Sequence, residues 1–423
     1  MSRVAVVGAG AVGLCAAWSL RQRGHQVVVL DGATARAGAS WGNAGWVVPA
    51  LSSPVAAPGV PRYGVRSLIT PDAPFRMRPS LGLLPWLVAF TRNCTAAAHS
   101  RGTEATLALA MNARGSFREL LASGVDCTLH TQGIHFVGTT RAAVENELAL
   151  LSVLNEHGYD VPAGIDDGDT TRSADATLSD EVVAGFQLDG DQHLDPRQLL
   201  AGLESWLAAH EVAVHRDRWV TGFTRRGATV TSVQTSRSSE SVDAVVIAAG
   251  AWSAPLCRML GYRLPLQAGK GYSFSIALPQ QPRRPLYLLE AKVAATEMAG
   301  RTRLAGMMEL TGADTRLRPR RLAALERHAR RYFRDWARPQ DAWAGLRPMV
   351  PDGLPVLGAI PGIDNALLAT GHAMLGITLA PVSAQAVADL LEGRDDPVIA
   401  PFSPARFGRR WQSFRPRGNG MAS

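Results

Sequence analysis

Val4-Ala5-Val6-Val7-Gly8-Ala9-Gly10-Ala11-Val12-Gly13 decides the fold. Four apolar residues read as a buried parallel strand, and the glycines fall directly after them, where the chain must turn into a helix. That helix is expected to run to about Arg23, with Gly24 as its stop. Gln26 to Leu30 reads as a second strand, and Asp31 ends it eighteen residues after Gly13. The pieces of this βαβ unit have distinct jobs. Gly8 permits the tight turn, Gly10 lets a pyrophosphate approach the backbone, and Gly13 lets helix and strand pack closely. The helix N-terminus, which includes Val12, offers N–H groups and a positive dipole end to phosphates. Asp31 is placed to accept both hydroxyl hydrogens of an adenosine ribose, and Gly32-Ala33 brings no Arg for a 2′-phosphate. The unit predicts dinucleotide binding; by itself it does not divide NAD from FAD.

Around this unit stand 423 residues, enough for two or three domains, with 46% hydrophobic and 19% charged residues. Such a chain buries a large core and is not disordered. Its net charge of +8 comes almost wholly from arginine: Lys270 and Lys292 are the only lysines. The segment Arg316 to Arg338 holds nine arginines against Glu326 and Asp335, and the tail from Arg406 to Ser423 holds five and no acid. The remaining chain is slightly acidic, which excludes a general nucleic-acid footprint. Cys15, Cys94, Cys127 and Cys257 lack any C-x-x-C spacing, so neither a metal site nor a disulfide framework is expected, and a reducing compartment fits. The first strand begins near Arg3 and no apolar run free of Pro or Gly is long enough to span a bilayer. The expectation is a cytoplasmic protein, with peripheral contact at the inner membrane face as an option for the arginine-rich segment.

Further motifs extend the reading. Gly38-Ala39-Ser40-Trp41-Gly42-Asn43-Ala44-Gly45 follows the second strand. Asp195-Pro196 opens a helix, residues 243–250 form a strand running into Ala-Ala-Gly-Ala-Trp, and Gly269-Lys270-Gly271-Tyr272-Ser273 comes next. Gly345-Leu346-Arg347-Pro348-Met349, Pro351-Asp352-Gly353, Thr370-Gly371-His372 and Leu375-Gly376-Ile377-Thr378 complete the set. In this order the motifs resemble the D-amino-acid oxidase superfamily of FAD-dependent oxidoreductases, most closely its bacterial D-amino-acid and D-hydroxyproline dehydrogenases. The resemblance implies an α/β fold in which a Rossmann-like FAD-binding domain (1–85, 190–262 and 343–423) interleaves with an α+β substrate-binding domain (86–189 and 263–342) built on an antiparallel sheet. The pattern adds helices over Glu104 to Ser123 and Arg141 to His157, strands over Leu264 to Ile276 and Arg303 to Leu310, and an arginine-rich helix from about Arg320 to Trp336. The last dozen residues are expected to be a mobile end.

The resemblance also implies site residues. Arg347 would bind the substrate carboxylate, which a guanidinium fork suits. A strand, a turn and a helix beginning around Gly376 would aim Gly371, His372, Leu375, Gly376, Ile377 and Thr378 at the flavin. His372 reads either as a general base or as a residue shaping the turn, and the resemblance favours the second. Tyr272 would touch the substrate or simply pack; Lys270 would tune the flavin or simply pack. Ser40, Asn43, Ala44, Gly45, Val220, Gly250 and Trp252 complete the expected cofactor shell. Where many relatives carry Gly after Gly371-His372, this chain has Ala373, and the segment Leu286 to Thr296, expected to line the substrate side, also departs from its relatives. The activity implied is oxidation of a D-amino acid, or a cyclic one such as D-proline or 4-hydroxy-D-proline, to its imine, with quinone or O2 as acceptor. The rivals are an O2-using oxidase of the glycine or sarcosine type and a non-catalytic, flavin-holding subunit of a larger dehydrogenase. The arginine-rich helix reads as a solvated face, a membrane contact or a partner-subunit contact.

Overall fold

The computed structural model describes residues 1–32, 38–67, 70, 72–78, 80–408 and 411. Ala33 and the last dozen residues lie outside them. Val4 to Val7 are all buried in the strand Arg3–Val7, at the middle of a six-stranded sheet. On one side it pairs in parallel with Gln26–Leu30 and then Ala213–His215. On the other it pairs in parallel with Ala244–Ile247, followed by Ala366–Thr370 and an antiparallel edge strand, Val356–Ala359. A parallel sheet needs cover on both faces, which is why its strands read as unbroken apolar runs. The helices Ala11–Gln22, Pro196–Ala209 and Ala380–Leu391 bury one face around Leu14, Leu203 and Val387. A three-stranded antiparallel sheet beginning at Val220, with the helix Ser253–Met259, buries the other around Val233 and Cys257.

A nine-stranded sheet forms the second layer. Its three long strands, Gln340–Met349 at the edge, then Gln267–Ile276 and Arg301–Leu310, pair antiparallel. The sheet is not wholly antiparallel: Leu286–Leu288 runs parallel to Ile134–Gly138, and Phe75–Met77 runs parallel to Arg301–Leu310. Two stretches therefore sit apart from their expected partition. Residues 343–349 and 75–77 hydrogen-bond into this second sheet, because strand pairing, not chain position, decides which layer a segment joins.

Several element boundaries move. The helix expected over Glu104 to Ser123 is two helices, Ala96–Met111 and Ala113–Ala122, meeting at Asn112. The arginine-rich helix is Pro319–Arg330, ending where Tyr332 and Phe333 turn into the core. The last helix starts at Ala380 rather than near Gly376, since residues 373–379 form turns closed by Leu375 N–H to His372 O and Leu379 N–H to Leu375 O. Among the described residues no helix is long and apolar enough to cross a membrane.

Candidate functional site

A cavity of about 1210 Å³ runs between the two sheets. One end is the glycine turn. Gly8 takes φ +115°, and a Cβ there would fall 2.5 Å from the Ala248 carbonyl oxygen. A Cβ on Gly13 would fall 1.9 Å from Gly8 O, the close helix–strand packing its position called for. Gly10 differs: a Cβ would meet only Ser40 Oγ, at 3.5 Å, so what its missing side chain leaves open is the cavity itself. Ser40 Oγ accepts from Ala11 N–H at 3.1 Å and Asp31 Oδ2 accepts from Ala9 N–H at 2.6 Å, which ties both side chains to the turn. Val12, Ala44, Val220, Gly250 and Trp252 also border the cavity. Trp219 was not foreseen: its indole lies flat over Gly32, where a Cβ would be 2.4 Å from the ring. The signal was its place beside Val220.

The other end is Arg347. Strand pairing sets Gly269 and Gly271 opposite Arg347 and Gly345, so the absence of side chains makes room for the guanidinium over Gly271. Arg347 Nη1 donates to the Met307 carbonyl oxygen at 2.7 Å. Met307 adopts φ +61° at an irregularity in the pairing of Arg301–Leu310 with Gln267–Ile276, which turns that carbonyl toward the arginine. Nothing in the sequence marks this, since left-handed backbone is a glycine habit. Among the described residues no carboxylate pairs with Arg347, and burial pulls its guanidinium down to about 10. It is a cation enclosed by protein yet facing the cavity.

Two expected neighbours are elsewhere. Alternation along Gln267–Ile276 sends Lys270 and Tyr272 to the sheet face opposite Gly271. The Tyr272 hydroxyl donates to Glu309 at 2.6 Å, and Glu309 also pairs with Arg321 at 3.1 Å. Lys270 Nζ donates to Arg316 O at 2.9 Å and pairs with Asp314 at 3.4 Å, and it does not border the cavity. Lys270 therefore braces the back of the sheet, a correction to the flavin-tuning role expected of it, whereas Tyr272 borders the cavity with its hydroxyl turned to Glu309. Gly45 and Gly371 also stay outside the cavity lining. Gly45, at φ +76°, lets the chain pass Leu194, whose carbonyl oxygen would lie 1.9 Å from a Cβ, and Gly371, at φ +77°, makes the turn after Ala366–Thr370.

His372 borders the cavity but is almost wholly buried; its Nε2 shares a hydrogen bond with Ser383 Oγ at 3.0 Å, and burial pulls its pKa down to about 4. Ala373 has φ +47°, the left-handed backbone that favours glycine, held by its N–H to Pro348 O at 3.0 Å. Thr378 Oγ1 donates to Trp46 O and accepts from Val48 N–H, locking the turn of Leu375, Gly376 and Ile377 to the strand Trp46–Val47. Asn43 Oδ1 caps Gly45 N–H at 2.8 Å. From the segment expected on the substrate side, Tyr287, Glu290, Lys292 and Ala294 border the cavity.

Residues 3–390 match the model of the DAO family, FAD dependent oxidoreductase. The chain belongs to that family. Its curated relatives include a D-amino acid dehydrogenase of Cereibacter sphaeroides, 35% identical over 93% of this chain and 92% of the relative. Another, of Phenylobacterium zucineum, is 34% identical over 95% and 98%. In fold it is similar to glycine oxidase from Bacillus cereus (TM-score 0.74, 21% identity, 95% of this chain and 98% of that one). L-proline dehydrogenase from P. horikoshii gives the same TM-score at 17% identity, covering 97% and 98%. This FAD-dependent oxidoreductase thus has an enzyme's fold and an FAD cofactor. The cavity's lining fits that cofactor: it includes the turn opened by Gly8 and Gly10, the acid Asp31 one strand further on, and Arg347.

Proposed function

We propose that the enzyme oxidises a D-amino acid, open-chain or cyclic as in D-proline and 4-hydroxy-D-proline, and delivers the electrons to a quinone. The observation carrying this reading is Arg347, a cavity-facing cation without a protein counter-ion and held in direction by Met307 O. Its fork would take the substrate carboxylate in two-point contact and so fix which face of Cα is presented. The name of the curated relatives, D-amino acid dehydrogenase, supports the substrate class.

Gly8, Gly10, Val12 and the helix end behind them would hold the pyrophosphate, Asp31 the ribose, and Trp219 with Val220 the adenine end. FAD bound there supplies the two-electron acceptor for the hydride leaving Cα. The substrate nitrogen loses a proton and the C–N bond becomes C=N; an open-chain imine then hydrolyses to a 2-oxo acid and ammonia. His372, tied to Ser383 and with its pKa lowered by burial, would shape the turn rather than serve as the base. Hydride transfer needs no side-chain base if the amine binds uncharged. We assign the cofactor to the layer of the six-stranded sheet and the substrate to the glycine-faced side of the nine-stranded one.

The test is anaerobic mixing of the yellow enzyme with single D-amino acids, their L-enantiomers, glycine, sarcosine and 4-hydroxy-D-proline. Bleaching of the oxidised-flavin band by a D-compound, reversed quickly by quinone and slowly by air, is expected. Rapid recovery in air would make it an oxidase, and bleaching only after a partner protein is added would make it a subunit.

A further inference from the structure

Among the described residues, the acids and bases bordering the cavity are Asp31, Arg216, Glu290, Lys292 and Arg347. Four of them are already engaged. Asp31 accepts from Ala9 N–H at the glycine turn, Arg216 pairs with Glu204, and Lys292 pairs with Glu147 at 3.6 Å. Glu290 accepts from the N–H groups of Thr140 at 2.8 Å and Thr139 at 3.2 Å, and from the hydroxyls of Thr140 and Tyr332. Away from the glycine turn, Arg347 is thus the one charge in the described lining that the protein leaves open.

What lies beside Arg347 is apolar. Its Nη1 is 3.8 Å from the Met308 sulfur. A Cβ on Gly269, the strand partner of Arg347, would fall 2.6 Å from that sulfur and 2.4 Å from the sulfur of Met349. The two glycines therefore make room for different groups: the guanidinium lies over Gly271, and two thioethers lie over Gly269. Met308 stands opposite Phe75, and Leu310 opposite Met77, in the parallel pairing of their strands. The helix Leu84–Asn93 adds Trp86 and Phe90, one turn apart, with their rings stacked at 5.1 Å. All of these side chains border the cavity and belong to a single apolar cluster.

We propose that this lobe receives the substrate's side chain, and that Met308 and Met349 select one that is long, apolar and uncharged. The selection rests on the carboxylate role of Arg347 and narrows the substrate class. With the carboxylate held at Arg347, the side chain beside it meets the Met308 thioether first, and each methylene moved from water into the lobe adds to binding. A charged side chain would lose its hydration there and find no open counter-charge. Methionine is unbranched and polarizable, so the lobe selects for apolarity and length more than for one shape. Long open-chain substrates therefore rank ahead of small or cyclic ones.

The test is kcat/KM of the FAD-loaded enzyme along D-alanine, D-2-aminobutyrate, D-norvaline and D-norleucine, measured with a water-soluble dye, with D-glutamate and D-lysine as charged chains. A rise of about fourfold per methylene, roughly sixtyfold over the series, is expected, with the charged pair no better than D-alanine. The same slope should appear without turnover, in the dissociation constants of straight-chain carboxylates from propionate to hexanoate, read by perturbation of the flavin spectrum. Met308→Gln, similar in length but polar, should flatten both slopes, with flavin content and melting temperature to check its fold; should it lose its flavin, the parent's two slopes decide alone. A flat or falling series overturns the proposal and leaves the D-amino acid reading in place. So does turnover that follows the tail length of a quinone instead, which would give the lobe to the acceptor. Oxidation of no D-amino acid would fail the substrate reading, and the carboxylate slope then decides what the lobe takes: a rise upholds it and a flat line overturns it.

Discussion

Arg347 is where a single side chain matters most. Its guanidinium is enclosed, held by one carbonyl and left without a carboxylate, an arrangement that costs stability until an anion arrives. Arg347→Ala should keep its flavin and lose about 2–5 kcal/mol of substrate affinity, read as a rise in KM for the best amino acid. Arg347→Lys should recover only part of this, because a point charge cannot make the two-point contact. An unchanged kcat/KM in the alanine variant would remove the carboxylate role. The same scale explains why the polar ends of Lys270 and Tyr272 turn away from Arg347. They alternate with Gly269 and Gly271, so the glycines in that motif open the substrate side while the two polar side chains necessarily face away, toward Glu309 and Asp314.

At the scale of elements, the strand, turn and helix from Arg3 to Gln22 separate two kinds of glycine. Gly8 and Gly13 are required by the protein's own backbone, whereas a Cβ on Gly10 would meet only Ser40 Oγ, and we assign the space it leaves open to the proposed phosphate contact. Gly10→Ala should therefore fold and melt like the parent protein stripped of FAD, but purify with little flavin, measured as the ratio of flavin to protein absorbance. A fully yellow Gly10→Ala protein would refute the phosphate-turn assignment. This unit was readable residue by residue, since each of its constraints is local: an apolar run, a glycine spacing, an acid at the strand end. The turn after Ala366–Thr370 was readable only in outline, because the late helix start depends on Thr378 bonding to Trp46 O, over three hundred residues away in the chain. The brace of Arg347 was not readable at all, for Met307 takes a backbone conformation that its side chain does not advertise.

Across the whole molecule, folding buries several titratable groups. His135, His193 and His372 are each pulled down to about 4, chiefly by burial. An unfolded chain would protonate them near 6.5, so between pH 6.5 and 4 the unfolded state binds more protons and stability falls with pH. Asp191 works the other way, since burial lifts it to about 7 and its protonation favours the fold as pH drops. Three groups against one predict a net loss of several kcal/mol across that window, seen as a urea midpoint that declines steadily from pH 6.5 to 4; a flat midpoint would contradict it. The sequence alone determined the class of the fold and the glycine turn, carried by short motifs whose physics is local, and its resemblance to a family pointed to FAD and to the arginine that borders the cavity. Only tertiary structure decided which sheet the strand Gln340–Met349 joins, that the Lys270 ammonium lies behind that sheet, and which arginines meet a carboxylate, as Arg321 meets Glu309. Charge and pattern can be counted along a chain, but whether an arginine meets a carboxylate depends on segments that only folding brings together.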